Sequence, residues 1–133
     1  MRIIKNLAEL NDWIGKEIAL SEWVKIDQNR IKLFADVTGD QQWIHTDPVR
    51  AQKESLFETT IAHGYLTLSL LPGLLESCLQ IDGVGMSINY GLDRVRFPAP
   101  VMCNQRGAGT FEAGSDRIRN WWSAGALDCN NGN

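Results

Sequence analysis

The sequence contains little of what metal clusters, disulfide frameworks and membrane spans require. Its 133 residues include only two histidines and three cysteines, and the cysteines (Cys78, Cys103 and Cys129) lie far apart without a Cys-x-x-Cys spacing. An odd number of dispersed cysteines argues against a disulfide framework and favours a reducing, cytoplasmic location. No window approaches the roughly 18 apolar residues of a membrane span. We therefore expect no membrane span, and the first residues do not resemble a signal peptide.

Positive charge is also scarce. Thirteen Lys and Arg residues face sixteen Asp and Glu residues, which gives a net charge of −3. Such a chain lacks the basic surface that nucleic-acid binding requires, so we expect no nucleic-acid partner. The hydrophobic fraction of 44% is typical of a globular protein. The length fits one domain, and we predict a single domain over residues 1–133.

The C-terminal tail, residues 103–133, lacks the residues that strands prefer. It contains no valine, and ten of its 31 positions are Gly or Asn. Glycine and asparagine are depleted in strands. We therefore predict a weakly ordered tail that forms few strands, with Trp121 and Trp122 as its anchors.

Helical periodicity and capping residues predict most of the secondary structure before the tail. Asp27 and Asp47 each have a side chain suited to an N-cap, and Gly39 suits a helix C-terminus. We expect Pro72 to bend or break the helix that contains it. The predicted elements are a helix over Leu7–Ile14, an extended segment over Glu17–Val24, a helix over Gln28–Thr38, a short helix from Pro48, a central apolar helix from His63-Gly64 to about Leu79, and a strand over Met86–Phe97.

A short polar loop between two predicted helices carries the first candidate functional residues. Asp40 and His45 lie five residues apart on this loop, which follows Gly39 and precedes Pro48. Rigid elements on both sides can hold two loop side chains in a fixed relation. A carboxylate and an imidazole in such a place can share one water, which one group deprotonates while the other orients it or supplies a proton elsewhere.

The start of the central helix is the second candidate. Free N–H groups at a helix N-terminus stabilise negative charge that develops on an oxygen. Gly64 would allow a ligand to approach this backbone closely, and His63 precedes it. The two candidates together could activate water and stabilise an enolate oxygen, as hydration of an unsaturated thioester requires.

Structural roles compete with each of these interpretations. A Gly-Asp pair after a helix is often only a cap and turn, and a histidine at the start of an apolar helix is often a satisfied core residue. Trp43 can be a packing anchor or a ligand contact. Asp47 is best explained as a helix cap. A metal site of Asp40, His45, Asp47 and His63 lacks a recognised ligand spacing, so we predict no metal.

These residues resemble a known family. The pattern Phe-Ala-x-x-Thr-Gly-Asp-x-x-x-Ile-His, followed by Ile-Ala-His-Gly-Tyr-Leu, is similar to the MaoC-like dehydratases and (R)-specific enoyl-CoA hydratases. The Gln-Trp-Ile-His motif and the later segment Asn89–Val101 resemble the sequences of the branch that includes nodulation protein N. The resemblance covers residues 7–101, while residues 102–133 are atypical.

The resemblance implies an α+β hot-dog fold, in which a curved antiparallel sheet wraps around a central helix. It implies a homodimer or dimer of dimers, and no metal or redox cofactor. Asp40 and His45 would be the catalytic pair, with Gly64 as oxyanion donor and His63, Gln42 and Trp43 as its substrate-binding neighbours. The substrate would be a trans-2-enoyl thioester of coenzyme A or of acyl carrier protein.

The chain departs from the family pattern at three places. Gln42-Trp43 replaces an Asn-Pro pair, Pro72-Gly73 replaces a Ser-Gly pair, and the tail lacks the valine-rich strands that complete the sheet. The tail therefore predicts incomplete C-terminal strands, from a divergent, truncated or frame-altered end. A thioesterase with Glu76 as its acid and a non-catalytic acyl-thioester-binding protein are the alternative functions.

Overall fold

A computed structural model of the chain describes residues 1–115 and 118–124, without the side chains of residues 121 and 124. The helices and strands alternate only partly, because four helices follow one another in the middle of the chain. In chain order they are β1 (Arg2–Ile4), a 3₁₀ helix (Leu7–Trp13), β2 (Glu17–Leu20), β3 (Val24–Lys25), α1 (Gln28–Thr38), α2 (Trp43–Thr46), α3 (Pro48–Glu54), α4 (Gly64–Cys78), β4 (Leu79–Ile81), β5 (Arg106–Ala113) and β6 (Ile118–Ala124).

Strand β5 organises the main sheet. It pairs antiparallel with β6 along Gly107–Ala113, and its other edge pairs antiparallel with β2 and then with β3. A separate parallel pair joins β1 to β4, directly after the central helix. Helices together with an antiparallel sheet make this an α+β fold, as predicted.

The long helix α4 connects two hydrophobic clusters. Leu71 packs with Phe111 of β5 in the first cluster, and Leu66 packs with Ile31 of α1 in the second. Burial of each such side chain stabilises the fold by about 1.5–3 kcal/mol. Helix α4 is therefore the predicted central helix, and it continues through Pro72 without a break. Among the residues that the structure describes, no helix is long and apolar enough to cross a membrane.

The predicted caps are present and fix the loop between α1 and α3. The Asp27 carboxylate accepts a hydrogen bond from the Arg30 N–H at 2.8 Å, and the Asp47 carboxylate accepts one from the Arg50 N–H at 3.0 Å. Helix α1 ends at Gly39, whose φ of 80° lies in the left-handed region that favours glycine. The loop that contains Asp40 thus leaves one capped helix and soon enters another.

The predicted strand over residues 86–97 is wrong. These residues form neither helix nor strand, and the alternating side chains of Ile88 and Tyr90 are exposed. A strand needs a neighbour to satisfy its backbone groups, and no described segment of the chain pairs with this one. Alternating hydrophobicity alone was therefore insufficient to form a strand within one chain.

The prediction that the tail forms few strands is also wrong for residues 106–113 and 118–124, which form β5 and β6. Packing explains the glycines there: a Cβ atom at Gly107 would lie 1.8 Å from the Trp122 ring, and one at Gly109 would lie 2.8 Å from Phe111. Because small residues admit these rings, pairing and packing outweigh low strand propensity. Trp122 contacts both hydrophobic clusters, as predicted for an anchor. Residues 125–133, including Cys129, and the side chain of Trp121 lie outside the described part.

Candidate active site

The loop between α1 and α3 brings Asp40 and His45 together. Asp40 directly follows the end of α1 and is exposed, while His45 lies within the single turn of α2 and is 6% exposed. The Asp40 carboxylate accepts a long hydrogen bond of 3.4 Å from the Gln42 N–H, which folds the loop back on itself. One ligand atom each of Asp40, His45 and His63 lies within 4.8 Å of the others. The predicted pair therefore lies in one cluster with His63.

His63 contacts both members of the pair. Its Nε2 lies 3.0 Å from the backbone oxygen of Asp40, and its ring stacks on that of His45 with centroids 3.8 Å apart. The His45 Nδ1 lies 2.7 Å from the backbone oxygen of Ile61. A carbonyl oxygen only accepts hydrogen bonds, so Nδ1 of His45 carries a hydrogen and its neutral ring leaves Nε2 as the proton acceptor.

Burial keeps His45 in its neutral form. Loss of solvent lowers the pKa of His45 below its ordinary value of 6.5, and this is the largest influence on it. The Ile61 carbonyl opposes that shift, His63 lowers the pKa further, and the Asp40 charge raises it. Since burial disfavours the charged imidazolium, His45 is available as a base near neutral pH.

The same three side chains satisfy the simplest requirement of a metal site, which is proximity. However, each imidazole already contacts a carbonyl through one nitrogen, and the two ring planes are only 22° apart. Stacked rings direct their nitrogens along nearly parallel planes, whereas tetrahedral ligands converge on the ion from different directions. The arrangement suits proton transfer better than metal binding. Asp47 is not in the cluster, because its carboxylate caps α3.

Gly64 begins α4 directly after His63, so the helix N-terminus adjoins the cluster. The first N–H groups of a helix have no acceptor within it and carry partial positive charge. The Phe97 ring lies against Gly64, since a Cβ atom at this position would be 2.6 Å from Phe97 Cδ2. Phe97 also packs edge-on to Tyr65. A side chain larger than hydrogen at position 64 would have to displace Phe97.

A cavity of about 520 Å³ lies beside α4 and is bordered by Phe97. Its walls come from one face of the helix, from the extended segment before β5 and from β6. Most of the lining is apolar, and the residues that line the cavity include Thr67, Leu68, Leu71, Leu92, Val95 and Phe97. An apolar chain can therefore be accommodated next to the start of α4.

The remaining predicted residues lie at the edge of the cluster. Gln42 is exposed and precedes α2, and its N–H contacts Asp40. The Trp43 ring packs under the guanidinium of Arg50, 4.3 Å from the ring centroid, as a packing anchor does. Sequence reasoning missed Gln28 and Thr60. The Gln28 side chain donates to the backbone oxygen of His45 at 2.8 Å and accepts from the Thr60 hydroxyl.

Comparisons with known proteins give the family. Residues 9–123 match the model of the MaoC-like domain. The chain is 50% identical over 106 residues to 3-hydroxyacyl-thioester dehydratase Z of Mycobacterium tuberculosis, covering 80% of this chain and 70% of that protein. It is also 50% identical over 107 residues to nodulation protein N of Rhizobium leguminosarum bv. viciae, covering 80% of this chain and 66% of that protein.

The fold agrees with this relationship. The unliganded (R)-hydratase PhaJ1 from Pseudomonas aeruginosa superposes with a TM-score of 0.65 at 22% identity, covering 85% of this chain and 72% of that structure. The architecture is thus that of the hot-dog hydratases. The chain belongs to the MaoC-like dehydratase family, and at the level of that family it is a hydro-lyase.

The contact between Gly64 and Phe97 gives a stability prediction. Gly64→Ala should lower the free energy of unfolding by about 1–3 kcal/mol, because the added methyl overlaps the Phe97 ring. Gly73→Ala, in the same helix with open space around its Cβ, should instead stabilise by about 0.5–1 kcal/mol. Urea unfolding measures both. If Gly64→Ala also stabilises, or if its effect is the same in a Phe97→Ala background, the contact is not the cause.

Proposed function

We propose that the protein hydrates a trans-2-enoyl thioester to a 3-hydroxyacyl thioester, and catalyses the reverse dehydration. The observation that carries this proposal is the convergence of the Asp40 carboxylate and a neutral, buried His45 beside the N-terminus of α4. Relatives named 3-hydroxyacyl-thioester dehydratase Z at 50% identity support the substrate class.

Each residue has a distinct role in the proposed reaction. His45 accepts a proton from water at Nε2 while Asp40 orients that water, and the water oxygen bonds to C3 of the substrate. The electrons of the double bond move toward the thioester carbonyl, whose oxygen becomes negative and accepts a hydrogen bond from the Gly64 N–H. The proton is then delivered to C2, so that one water is added in total.

The cavity beside α4 supports an acyl substrate. Its apolar walls suit a hydrocarbon chain, and Phe97 both lines the cavity and lies against Gly64, so the thioester carbonyl of a chain bound there would be directed toward the helix N-terminus. Gln42 and Trp43, together with His63, remain candidate substrate-binding residues at the rim of the cluster. The carrier of the acyl group is coenzyme A or acyl carrier protein.

A thioesterase is the competing function, and the position of Glu76 weakens it. This acid is near the far end of α4 and lines a different cavity, with Pro72, Gly73 and Val84. A non-catalytic acyl-thioester-binding protein is the other alternative. Release of free coenzyme A, detected with a thiol reagent, would identify a thioesterase, and thermal stabilisation by acyl-CoA without turnover would identify a binding protein.

Substitution of the pair tests the proposal directly. With crotonyl-CoA, His45→Gln should reduce kcat by about 10²–10⁴-fold because the proton acceptor is lost, and Asp40→Asn by about 10²-fold. Loss of absorbance of the conjugated thioester measures the rate. Asp36→Asn is the matched control, since this carboxylate on α1 hydrogen-bonds Lys32 and Gln41 instead, and it should retain wild-type activity. Equal activity of all four proteins would exclude the proposed roles.

The lowered pKa of His45 predicts the acid limb of the pH profile. Hydration requires neutral His45, so kcat/KM should fall as the pH drops through the pKa of this residue in the folded protein. Burial places that pKa below 6.5, so the limb should be centred below pH 6.5. Asp36→Asn should leave the limb unchanged. A limb centred at or above pH 6.5 would be incompatible with buried His45 as the base.

We also propose that residues 1–133 form one domain that assembles as a homodimer. The segment of residues 84–100 supports this, because it exposes Met86, Ile88, Tyr90 and Leu92 and forms neither helix nor strand. Sedimentation should give a mass of two chains, and Ile88→Lys with Tyr90→Lys should shift it toward one chain. Leu33→Lys, on the exposed face of α1, is the control. A wild-type protein that sediments as a single chain contradicts this assembly.

A further inference from the structure

His63 contacts the two proposed catalytic groups and the start of the central helix at once. Its Nε2 bonds the Asp40 carbonyl at 3.0 Å, its ring stacks on His45 at 3.8 Å, and its backbone precedes Gly64. The ring is 3% exposed and also packs against Phe34, with centroids 5.0 Å apart. No other described residue joins these three parts of the site.

Only one of the two ring nitrogens of His63 has a hydrogen-bond partner in the described part of the chain. The Asp40 carbonyl only accepts, so Nε2 of His63 carries a hydrogen, and in the neutral ring Nδ1 is then a bare acceptor. This Nδ1 is buried and has no partner among the described residues. Native proteins pair most of their buried nitrogen atoms, so an unpaired one calls for an explanation; Trp122 Nε1 is the other such atom in the described part of the chain.

We propose that His63 is a positioning residue for the hydration reaction. Its hydrogen bond to the Asp40 carbonyl and its stacking on the His45 ring hold the carboxylate and the base in one relative arrangement beside Gly64. This inference rests on the proposed function. It goes beyond that function because the role acts through Asp40 and His45 and does not depend on direct contact between His63 and the substrate.

The geometry explains why an imidazole suits this role. The residue must donate from the far edge of its side chain and present a flat face to His45, and it must have few rotatable bonds so that both contacts persist. Asp40 is exposed and otherwise held only by weak contacts of 3.4 Å, which involve its N–H with Thr38 and its carboxylate with Gln42. Without His63 the Asp40 carbonyl would lose its 3.0 Å hydrogen bond, and the carboxylate would sample other positions.

Two variants of His63 separate its contacts. Gln can donate from a position close to that of the imidazole Nε2, whereas Phe keeps an aromatic face but cannot donate. We expect His63→Phe to lower kcat for crotonyl-CoA by about 100-fold with KM within about threefold, the size of loss that a small misplacement of catalytic groups produces. His63→Gln should restore kcat to within about tenfold of wild type. In an Asp40→Asn background His63→Phe should have little further effect.

An NMR titration gives a readout that does not depend on activity. The chain has only two histidines, so in His63→Gln the single imidazole signal belongs to His45. The groups that act on the charge of His45 are His63 and Asp40. Because His63 opposes protonation of its neighbour, the titration midpoint of His45 should move to higher pH in His63→Gln. A residue that only fills space would leave this midpoint unchanged.

Ser21→Ala is the matched structural control. Ser21 is buried, accepts a hydrogen bond from the Gly109 N–H at 2.9 Å and donates one to the Glu22 carbonyl, so its side-chain hydrogen bonds involve no proposed catalytic group. This variant should lower the melting temperature while leaving kcat and the His45 titration unchanged. His63→Phe should do the reverse, with a large loss of kcat and a small change in melting temperature.

The outcomes distinguish the two proposals. Equal losses of kcat in His63→Gln and His63→Phe, full additivity with Asp40→Asn, or an unchanged His45 midpoint would each overturn the positioning role. If the wild-type protein does not hydrate any enoyl-CoA, the proposed function fails, while the shifted His45 midpoint would still establish the contact of His63 with His45.

Discussion

The hydrogen bonds of residues 60–64 hold the candidate site together. The Ile61 N–H binds the Ile44 carbonyl at 3.0 Å, and the Ile61 carbonyl accepts from His45. On its other side the segment pairs with residues 101–103, through Ala62 N–H to the Val101 carbonyl at 2.7 Å and Cys103 N–H to the Thr60 carbonyl at 2.9 Å. His63 then binds the Asp40 carbonyl, and Gly64 opens α4. One short segment thus orients the loop, the helix N-terminus and the residues that lead into β5.

The parts of the fold that depend on local chemistry were predictable from the sequence. Asp27 and Asp47 cap helices because their carboxylates reach N–H groups three residues later, and Gly39 ends α1 because it adopts a positive φ. The family motif also led to Asp40, His45 and His63, which the structure places in one cluster. Gln28 and Thr60 could not be found in this way, because their contact spans 32 positions and follows no spacing rule.

The errors have a common physical origin, since strand formation depends on partners that are distant in sequence. Residues 86–97 have the right alternation but no partner strand within the described chain, whereas β5 has poor composition and pairs along both edges. The glycines that lowered the predicted strand propensity of the tail are the positions that admit Trp122 and Phe111. Alternation predicted a strand where none forms, and composition predicted few strands where two form, because neither carries information about which backbone groups find partners.

The two members of the candidate pair differ in solvent exposure, and this difference affects how firmly each side chain is held. His45 is buried and held through Nδ1, so its ring is fixed and neutral, but Asp40 is exposed and free to move unless its backbone is held. A base is useful only when the water it deprotonates is in place, so the less constrained member limits the geometry of the pair. The sequence puts a rigid aromatic donor, His63, against that member. His63, which precedes the helix N-terminus, thereby connects the proposed site of proton removal to the proposed oxyanion site.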